Sequence, residues 1–193
     1  MSDTYIVHIN GYPGTGKLTT AKQICALDDQ VRLMDNHITT NPIFITLSPE
    51  QKKPVPKPAW DAIDKIRAIV LEFMESDASP ELSFIFTNCM YDDDLQNEAY
   101  LDRIRDVANK RGSQYVPIAL TYDENENKKR VISEGRKISM KMMDANFLQK
   151  TRQDYSLLYH RDPNFLTFDN TGLTAEQSAQ KIMKHALSCT MGG

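Results

Sequence analysis

Short apolar runs alternate with amphipathic segments along this chain. The runs are rich in β-branched and aromatic residues and are bounded by turn residues, which is typical of buried strands. The segments between them repeat apolar side chains at helical spacing. Since parallel strands need a helical crossover, this alternation predicts a parallel sheet with helices on both faces. The five predicted strands cover residues 5–9, 31–34, 82–86, 116–120 and 165–168. Pro117 counts against the fourth, because proline cannot donate to a strand ladder.

Length, charge and cysteine content narrow the class of protein. The chain has 193 residues, which suits one domain spanning residues 1–193. A net charge of -3 argues against a nucleic-acid partner, because such binders usually carry a strongly basic surface. No apolar stretch approaches the roughly 20 residues that span a bilayer, and the N-terminus does not look like a signal peptide. Cys25, Cys89 and Cys189 form no Cys-x-x-Cys pair, so we expect reduced thiols and a cytoplasmic protein without a membrane partner.

The turn after the first predicted strand carries the most specific motif. Gly11, Gly16 and Lys17 have the spacing of a phosphate-binding loop, with four residues between the first glycine and Gly-Lys. Glycines let backbone N–H groups converge on phosphate oxygens, and a helix beginning at Lys17 points its positive end at the same place. An ordinary Gly/Pro turn is the alternative. The predicted nucleotide-binding residues here are Gly11, Pro13, Gly14, Thr15, Gly16, Lys17, Leu18 and Thr19.

The loop departs from the common pattern at Leu18, where a Ser or Thr usually binds Mg²⁺. Thr19 follows one position later, which is about 100° of helical rotation away. This Gly-x-Gly-Lys-x-Thr offset resembles the adenylate-kinase-like proteins within the P-loop small-molecule and nucleoside monophosphate kinase group. With the Asp35-Asn36-His37 segment, the chain looks most like AAA-type or shikimate-kinase-like ATP-binding proteins of that group.

The resemblance implies a three-layer α/β P-loop NTPase fold with a five-stranded parallel sheet. It also implies ATP and Mg²⁺ as cofactors. A small lid-like insertion is expected at about residues 128–146, and a segment facing the phosphate acceptor at about residues 36–60. The Thr- and Asn-containing composition of that segment suggests a polar, hydroxyl-bearing acceptor.

Candidate catalytic residues follow from position and from the resemblance. Asp35 comes directly after the second predicted strand and could orient or deprotonate an acceptor hydroxyl, or serve Mg²⁺ through water; capping the next turn is the alternative. Arg130 and Arg136 resemble lid arginines that close over a transferring phosphate, with a solvated helix face as the alternative. Lys17 supplies a cation to the β- and γ-phosphates.

Two further regions have weaker signals. In similar kinases the loop after the last strand lies against the adenine, so Thr171 and Gly172 are expected to border the base; a helix-capping motif explains the same composition. The third predicted strand ends without the acid that usually serves the metal. Asp92, Asp93 and Asp94 follow it and are interpreted as helix-capping residues.

These features predict an ATP-dependent phosphotransferase that acts on a small-molecule hydroxyl or phosphate, shikimate kinase-like or nucleoside monophosphate kinase-like. The chain lacks the Gly-Gly-Gly and Asp-x-Asp motifs of shikimate kinases. It also lacks the Asp-Gly-Phe-Pro-Arg motif of adenylate kinases. A nucleotide-binding switch or slow NTPase with a protein partner is the alternative. A polynucleotide kinase would need a basic groove, which the overall charge does not favour.

Overall fold

Strands and helices alternate in the computed structural model of the chain, which describes residues 4–52, 54–131, 145–159 and 162–191. The strands are β1 Tyr5–Asn10, β2 Val31–Asp35, β3 Ser83–Asn88, β4 Gln114–Thr121 and β5 Leu166–Asp169. The helices are α1 Lys17–Leu27, α2 Asn36–Phe44, α3 Lys57–Ser76, α4 Leu95–Arg111, α5 Glu124–Val131, α6 Ala145–Asp154 and α7 Ala175–Met191, with a short 3₁₀ turn at Glu50–Lys52.

The sheet is parallel, with the strand order β2-β3-β1-β4-β5. The predicted fold class is therefore confirmed. Every strand runs at least one residue further at its carboxyl end than the apolar pattern predicts. The added residues are polar, and in the first three strands they stay in the ladder: Asn10 pairs with Asn88, and Asp35 pairs with Thr87. Polar side chains therefore lie at the carboxyl edge of the sheet.

Two apolar layers cover the sheet. On one face, Val7 and Ile9 of β1 pack with α1 and α7 through Ile24 and Ile182. On the other face, Ile6 of β1 packs with α3 and α4, whose buried side chains include Leu71 and Ile104. The three described cysteines are all free. None of the helices in the described ranges combines the length and apolar composition needed to cross a membrane.

Pro117 is accommodated inside β4, next to the central strand. The N–H of Gln114 donates to Thr4 of the β1 side, and the carbonyl of Thr121 accepts from Asn170 on the β5 side. Because strand residues alternate between neighbours, Pro117 faces the β5 side. Pairing between β4 and β5 begins only at Ile118. The N–H group that Pro117 lacks would therefore have faced a position that β5 does not reach.

The connections after β1 and β3 place a crevice at the carboxyl edge. β1 leads into α1 on one face of the sheet, and the neighbouring β3 leads into α4 on the other face. Where adjacent strands diverge in this way, their following loops separate and leave room for a ligand. The glycine-rich loop at residues 11–16 lies at this point.

Candidate functional site

The glycine-rich loop has the backbone conformation of an anion cradle. Gly14 and Gly16 have φ values of 90° and 97°, in the left-handed region that favours glycine. Thr15 lies buried between them, and its hydroxyl donates to the Tyr12 carbonyl at 3.0 Å. Gly16 is the N-cap of α1 and offers no side chain to the first N–H groups of the helix. Those donors are therefore suited to an anion.

Lys17 is held across the same loop. Its Nζ donates to the carbonyl oxygens of Gly11 at 2.6 Å and Tyr12 at 2.9 Å. The ammonium group thus lies over the cradle, where an anion bound to the loop would meet it. Leu18 is half-buried and Thr19 is exposed.

Helix α5 packs directly on the loop at Gly14. A Cβ at this position would overlap Oδ1 of Asn127 and lie 2.8 Å from Cγ2 of Val131. Asn127 is fully buried, and neither polar atom of its amide has a hydrogen-bond partner among the described residues. Asn127 cannot be recognised from the sequence, because it sits in a strongly polar helix, and such a pattern is typical of a solvent-exposed helix face.

Replacing Gly14 with alanine is expected to destabilise the fold and distort the loop. The Cβ must displace the buried Asn127, a form of overpacking that costs about 1–3 kcal/mol, in addition to the left-handed backbone penalty of roughly 1–2 kcal/mol. Gly112→Ala is the matched control, since Gly112 has φ 69° and nothing within 4 Å of its Cβ position. Urea unfolding of both variants measures the difference. Equal losses would show that Asn127 does not confine Gly14.

The loop after β5 supports the cradle from a second side. The Asn170 Nδ2 donates to the Thr15 carbonyl at 2.9 Å, and the amide oxygen of Asn170 accepts from the hydroxyl of Ser178 in α7. The backbone N–H of Asn170 donates to Thr121 at the end of β4. A side chain within the predicted base-binding loop therefore fixes the phosphate loop.

Thr171 and Gly172 lie in that same loop, each with a structural explanation. Thr171 Oγ1 accepts from the backbone N–H of Asp123 at 2.7 Å, joining the loops after β4 and β5. Gly172 has φ 72° with open space around it. Thr174 and Gln177 form a reciprocal capping box at the start of α7, with bonds of 2.9 and 3.1 Å. Contact of Thr171 and Gly172 with a base remains a prediction.

The basic residues of α5 divide into two kinds. Lys128 and Lys129 form ion pairs at 3.4 and 2.6 Å with Glu124 and Glu126 of their own helix, which fits a solvated helix face. The Arg130 guanidinium instead lies 4.5 Å from the Tyr122 ring centroid, and its Nη2 is 3.7 Å from the Cβ position of Gly16.

Arg130 therefore lies beside the start of α1, at the phosphate cradle. Residues 132–144 of the predicted lid, including Arg136, lie outside the described residues.

Asp35 lies at the carboxyl edge, two strands from the cradle. It shares a row of the sheet with Thr87 and Ile9, which places its backbone about 10 Å from β1. Thr87 Oγ1 donates to Asp35 Oδ1 at 2.5 Å. Asp35 occupies the N-cap position of α2 but its side chain makes no capping bond. The carboxylate is therefore held by Thr87 rather than used to cap the next turn.

A buried polar network lies next to Asp35. The Asn36 Oδ1 accepts from Arg67 Nη2 at 3.0 Å and from Asn88 Nδ2 at 3.1 Å. Asn88 Oδ1 is 3.1 Å from Nε2 of His8, and Arg67 pairs with Asp64 at 3.1 Å. Only 8% of Arg67 is exposed. Arg67 lies at helical spacing from the apolar Ile63 and Leu71, a pattern that is visible in the sequence, and a buried arginine needs polar partners.

The residues fit a magnesium ion held mainly by phosphates. Within the described residues there is no group of three or more His, Cys, Asp or Glu side chains arranged around a metal. Asp94 caps α4 through the N–H of Gln96 at 2.9 Å, as predicted. Asp35 has Oδ1 committed to Thr87 and no described partner at Oδ2. Mg²⁺ in proteins commonly keeps several water ligands and is bound by one or two carboxylates together with substrate phosphates. A single carboxylate such as Asp35 is therefore compatible with a magnesium ion held mainly by the phosphates of ATP.

Asn10 connects the start of the cradle to two distant segments. Its Nδ2 donates to the carbonyls of Met90 at 3.0 Å and Leu158 at 2.8 Å, while its Oδ1 accepts from the N–H groups of Met90 and Gly11. Both polar atoms of the Asn10 amide therefore make two hydrogen bonds each. It holds the loop after β3 and the segment after α6 against the end of β1.

Three tyrosines, here called the tyrosine cluster, line the loop next to this junction: Tyr12, Tyr91 and Tyr155. The Tyr91 ring centroid is 6.4 Å from that of Tyr12 and 5.3 Å from that of Tyr155, and the Tyr12 hydroxyl donates to the Tyr155 carbonyl at 2.7 Å.

Cys89 donates its thiol proton to Tyr91, and burial raises the pKa of that thiol, which disfavours a nucleophilic thiolate.

Comparison with known proteins gives structural matches. No family model matches the sequence, and no curated protein does. A gluconokinase from Sinorhizobium meliloti 1021 has a TM-score of 0.62 at 13% identity, over 99% of this chain and 96% of that one. A sugar kinase from Janibacter sp. HTCC2649 has 0.59 at 18%, covering 96% and 95%. A thymidylate kinase from Candida albicans has 0.58 at 15%, covering 94% and 90%.

These matches extend over almost the whole of each chain, so they concern the complete architecture rather than the glycine-rich loop alone. At such low identities the likeness is one of fold. The strand order, the left-handed glycines and the lysine over the cradle agree with it. The chain has a three-layer α/β P-loop fold, which it shares with these three solved structures.

Proposed function

We propose that this protein transfers the terminal phosphoryl group of ATP to a hydroxyl group of a small molecule. The observation that carries the proposal is the pairing of a preformed anion cradle, crossed by Lys17, with the carboxylate of Asp35 two strands away on the same edge. The names of the similar structures support it, since they describe kinases of sugars, gluconate and thymidylate.

The chain supplies positioning and charge, which is most of what phosphoryl transfer requires of a protein. The backbone N–H groups at the start of α1, together with Lys17, bind phosphate oxygens of ATP. Arg130, on the α5 side of the cradle, neutralises charge near Gly16. Bound Mg²⁺ would neutralise further charge on the β- and γ-phosphates, with Asp35 as a candidate carboxylate.

Asp35 favours a hydroxyl acceptor over a phosphate acceptor. Thr87 donates to one of its oxygens and fixes the carboxylate, which leaves Oδ2 to accept a proton from the acceptor. Asp35 forms no ion pair with any described residue. A phosphate brought to the same place would therefore meet an unneutralised carboxylate, whereas a hydroxyl would meet a hydrogen-bond acceptor.

The expected activity is acceptor-dependent release of ADP. The protein is mixed with ATP and Mg²⁺ and a panel of polyols, sugars, sugar acids and nucleoside monophosphates, and ADP formation is followed with and without each compound. We expect stimulation by a hydroxyl compound and a phosphorylated product detectable by mass spectrometry. Steady ADP release that no acceptor stimulates would instead indicate a slow NTPase, and stimulation by a monophosphate alone would contradict the hydroxyl assignment.

A further inference from the structure

Helix α3 carries exposed apolar side chains outside the face that packs on the sheet and on α4. Ile69 and Phe73 are 66% and 60% exposed, and they adjoin on the helix surface because they lie four residues apart. Ile66 and Val70 are half-buried and lie between this pair and the buried side of the helix. These four residues are here called the α3 stripe. A single exposed apolar side chain is ordinary, whereas a continuous apolar surface is typical of an interaction site.

The charged residues of α3 fall into two groups. Most form ion pairs within the protein: Lys57 with Asp61, Arg67 with Asp64, and Glu75 with Arg103 and Lys110 of α4. Lys65 and Glu72 are exposed and form no ion pair with any described residue. They lie seven residues apart, which is about 10 Å along the helix, so they do not pair with each other. Two opposite charges beside the α3 stripe therefore lack counter-charges among the described residues.

Lys65 and Glu72 lie on the same side of α3 as Ile69. Seven residues turn a helix through about 700°, so the two charged side chains are only about 20° apart around the axis, and Ile69 is about 40° from Lys65. Ile69 also lies between them along the helix. A second α3 running antiparallel across Ile69 would bring Lys65 of each chain opposite Glu72 of the partner subunit. A parallel second helix would set lysine against lysine, so the charges favour the antiparallel pair.

We infer that the α3 stripe is the interface of a two-fold homodimer, in which the α3 helices of two chains pack antiparallel with Ile69 near the axis. The length of the helix suits this role. The 20 residues of α3 span about 30 Å. A stable interface that buries about 800 Å² per partner is roughly 30 Å across, so α3 reaches from one side of it to the other. The inference goes beyond the proposed function and does not depend on it.

Sedimentation equilibrium of the full chain over a range of concentrations measures the association. We expect the wild-type protein to have twice the mass of one chain at micromolar concentration. Ile69→Asp is expected to raise the dissociation constant at least about 100-fold, because the two-fold axis places the carboxylate in the interface twice. Leu95→Asp is the matched control and is expected to change nothing, since Leu95 is 81% exposed but lies at the start of α4.

Two charge reversals test the antiparallel arrangement. Lys65→Glu and Glu72→Lys each set like charges opposite one another in their own dimers, so each variant alone is expected to associate at least about 10-fold more weakly than the wild type. An equimolar mixture of the two variants is expected to recover wild-type association, because every glutamate then faces a lysine across the axis. The measurements are made at low ionic strength, since salt screens exposed charge pairs.

A wild-type chain that stays monomeric at every concentration would overturn the inference. A dimer that Ile69→Asp leaves intact, or that Leu95→Asp weakens equally, would also overturn it. A mixture of the charge variants that associates no better than either variant alone would exclude the antiparallel pair. The substituted side chains are exposed, so each variant is expected to fold, and thermal melting checks this. Association needs no turnover, so a failure of acceptor-dependent transfer would contradict only the proposed function.

Discussion

Replacing Asp35 with asparagine is expected to lower the turnover number by about 10²- to 10⁴-fold, which is the usual contribution of a general base. The amide keeps the size of the side chain and can still accept from Thr87, but it cannot take the proton of the acceptor hydroxyl. Nucleotide affinity is expected to change little, because Asp35 lies two strands from the cradle. Steady-state kinetics with the identified acceptor and calorimetry with ADP measure the two effects separately.

Thr87→Val is the matched variant for this test. It removes the donor to Asp35 Oδ1 while keeping a β-branched side chain inside β3. We expect a smaller loss of turnover than in Asp35→Asn, because the carboxylate remains but is less well oriented. Turnover that stays at the wild-type level in Asp35→Asn would show that the assignment of Asp35 is wrong. A loss confined to Mg²⁺ affinity would assign it to the metal instead.

Replacing Lys17 with alanine is expected to weaken ATP binding by about 10- to 150-fold, the equivalent of one or more hydrogen bonds to a charged group. The ammonium group lies over the cradle, where it would meet an anion bound to the loop. Lys22→Ala is the control, since Lys22 is an exposed lysine of the same helix. The affinities of both variants for ATP are compared by calorimetry.

Folding stability separates a binding effect from a structural one. Lys17 donates to two loop carbonyls in the free protein, so its loss also removes an internal support of the loop. A variant that melts like the wild-type protein but no longer binds ATP locates the effect in phosphate binding. Wild-type affinity in Lys17→Ala would contradict the proposed role of this lysine.

The sequence predicts the sheet well because strand burial leaves a strong signal. β1 and β3 are buried at every position, and such strands appear in the sequence as continuous apolar runs. The carboxyl ends were predicted too short, since Asn10, Asp35 and Asn88 are polar. Their membership in the strands depends on partners far along the chain, and periodicity within a short window cannot report them.

The candidate site is only partly predictable for the same reason. The cradle is a local motif, so its glycines and Lys17 could be recognised from spacing alone. The position of Asp35 follows from strand order, and the structure adds its bond with Thr87. Arg130 could be proposed by resemblance, but its distinction from Lys128 and Lys129 needed the geometry of α5.

Asn127 shows what a local sequence pattern cannot reveal. It sits in a helix with a predominantly polar sequence, and its burial arises where that helix meets the glycine-rich loop. A buried polar group without a partner is visible only after the fold is known.

The central position of β1 also affects how the protein is made. β1 and its loop emerge from the ribosome first, yet the flanking strands are supplied by residues 83–88 and 114–121. Contacts at such sequence separations form late and slowly. A nascent chain halted before residue 114 would carry the whole glycine-rich motif without β4, whose Leu120 carbonyl lies against Gly11. The proposed capacity to bind nucleotide is therefore expected to arise during translation only after residues 114–121 have been synthesised.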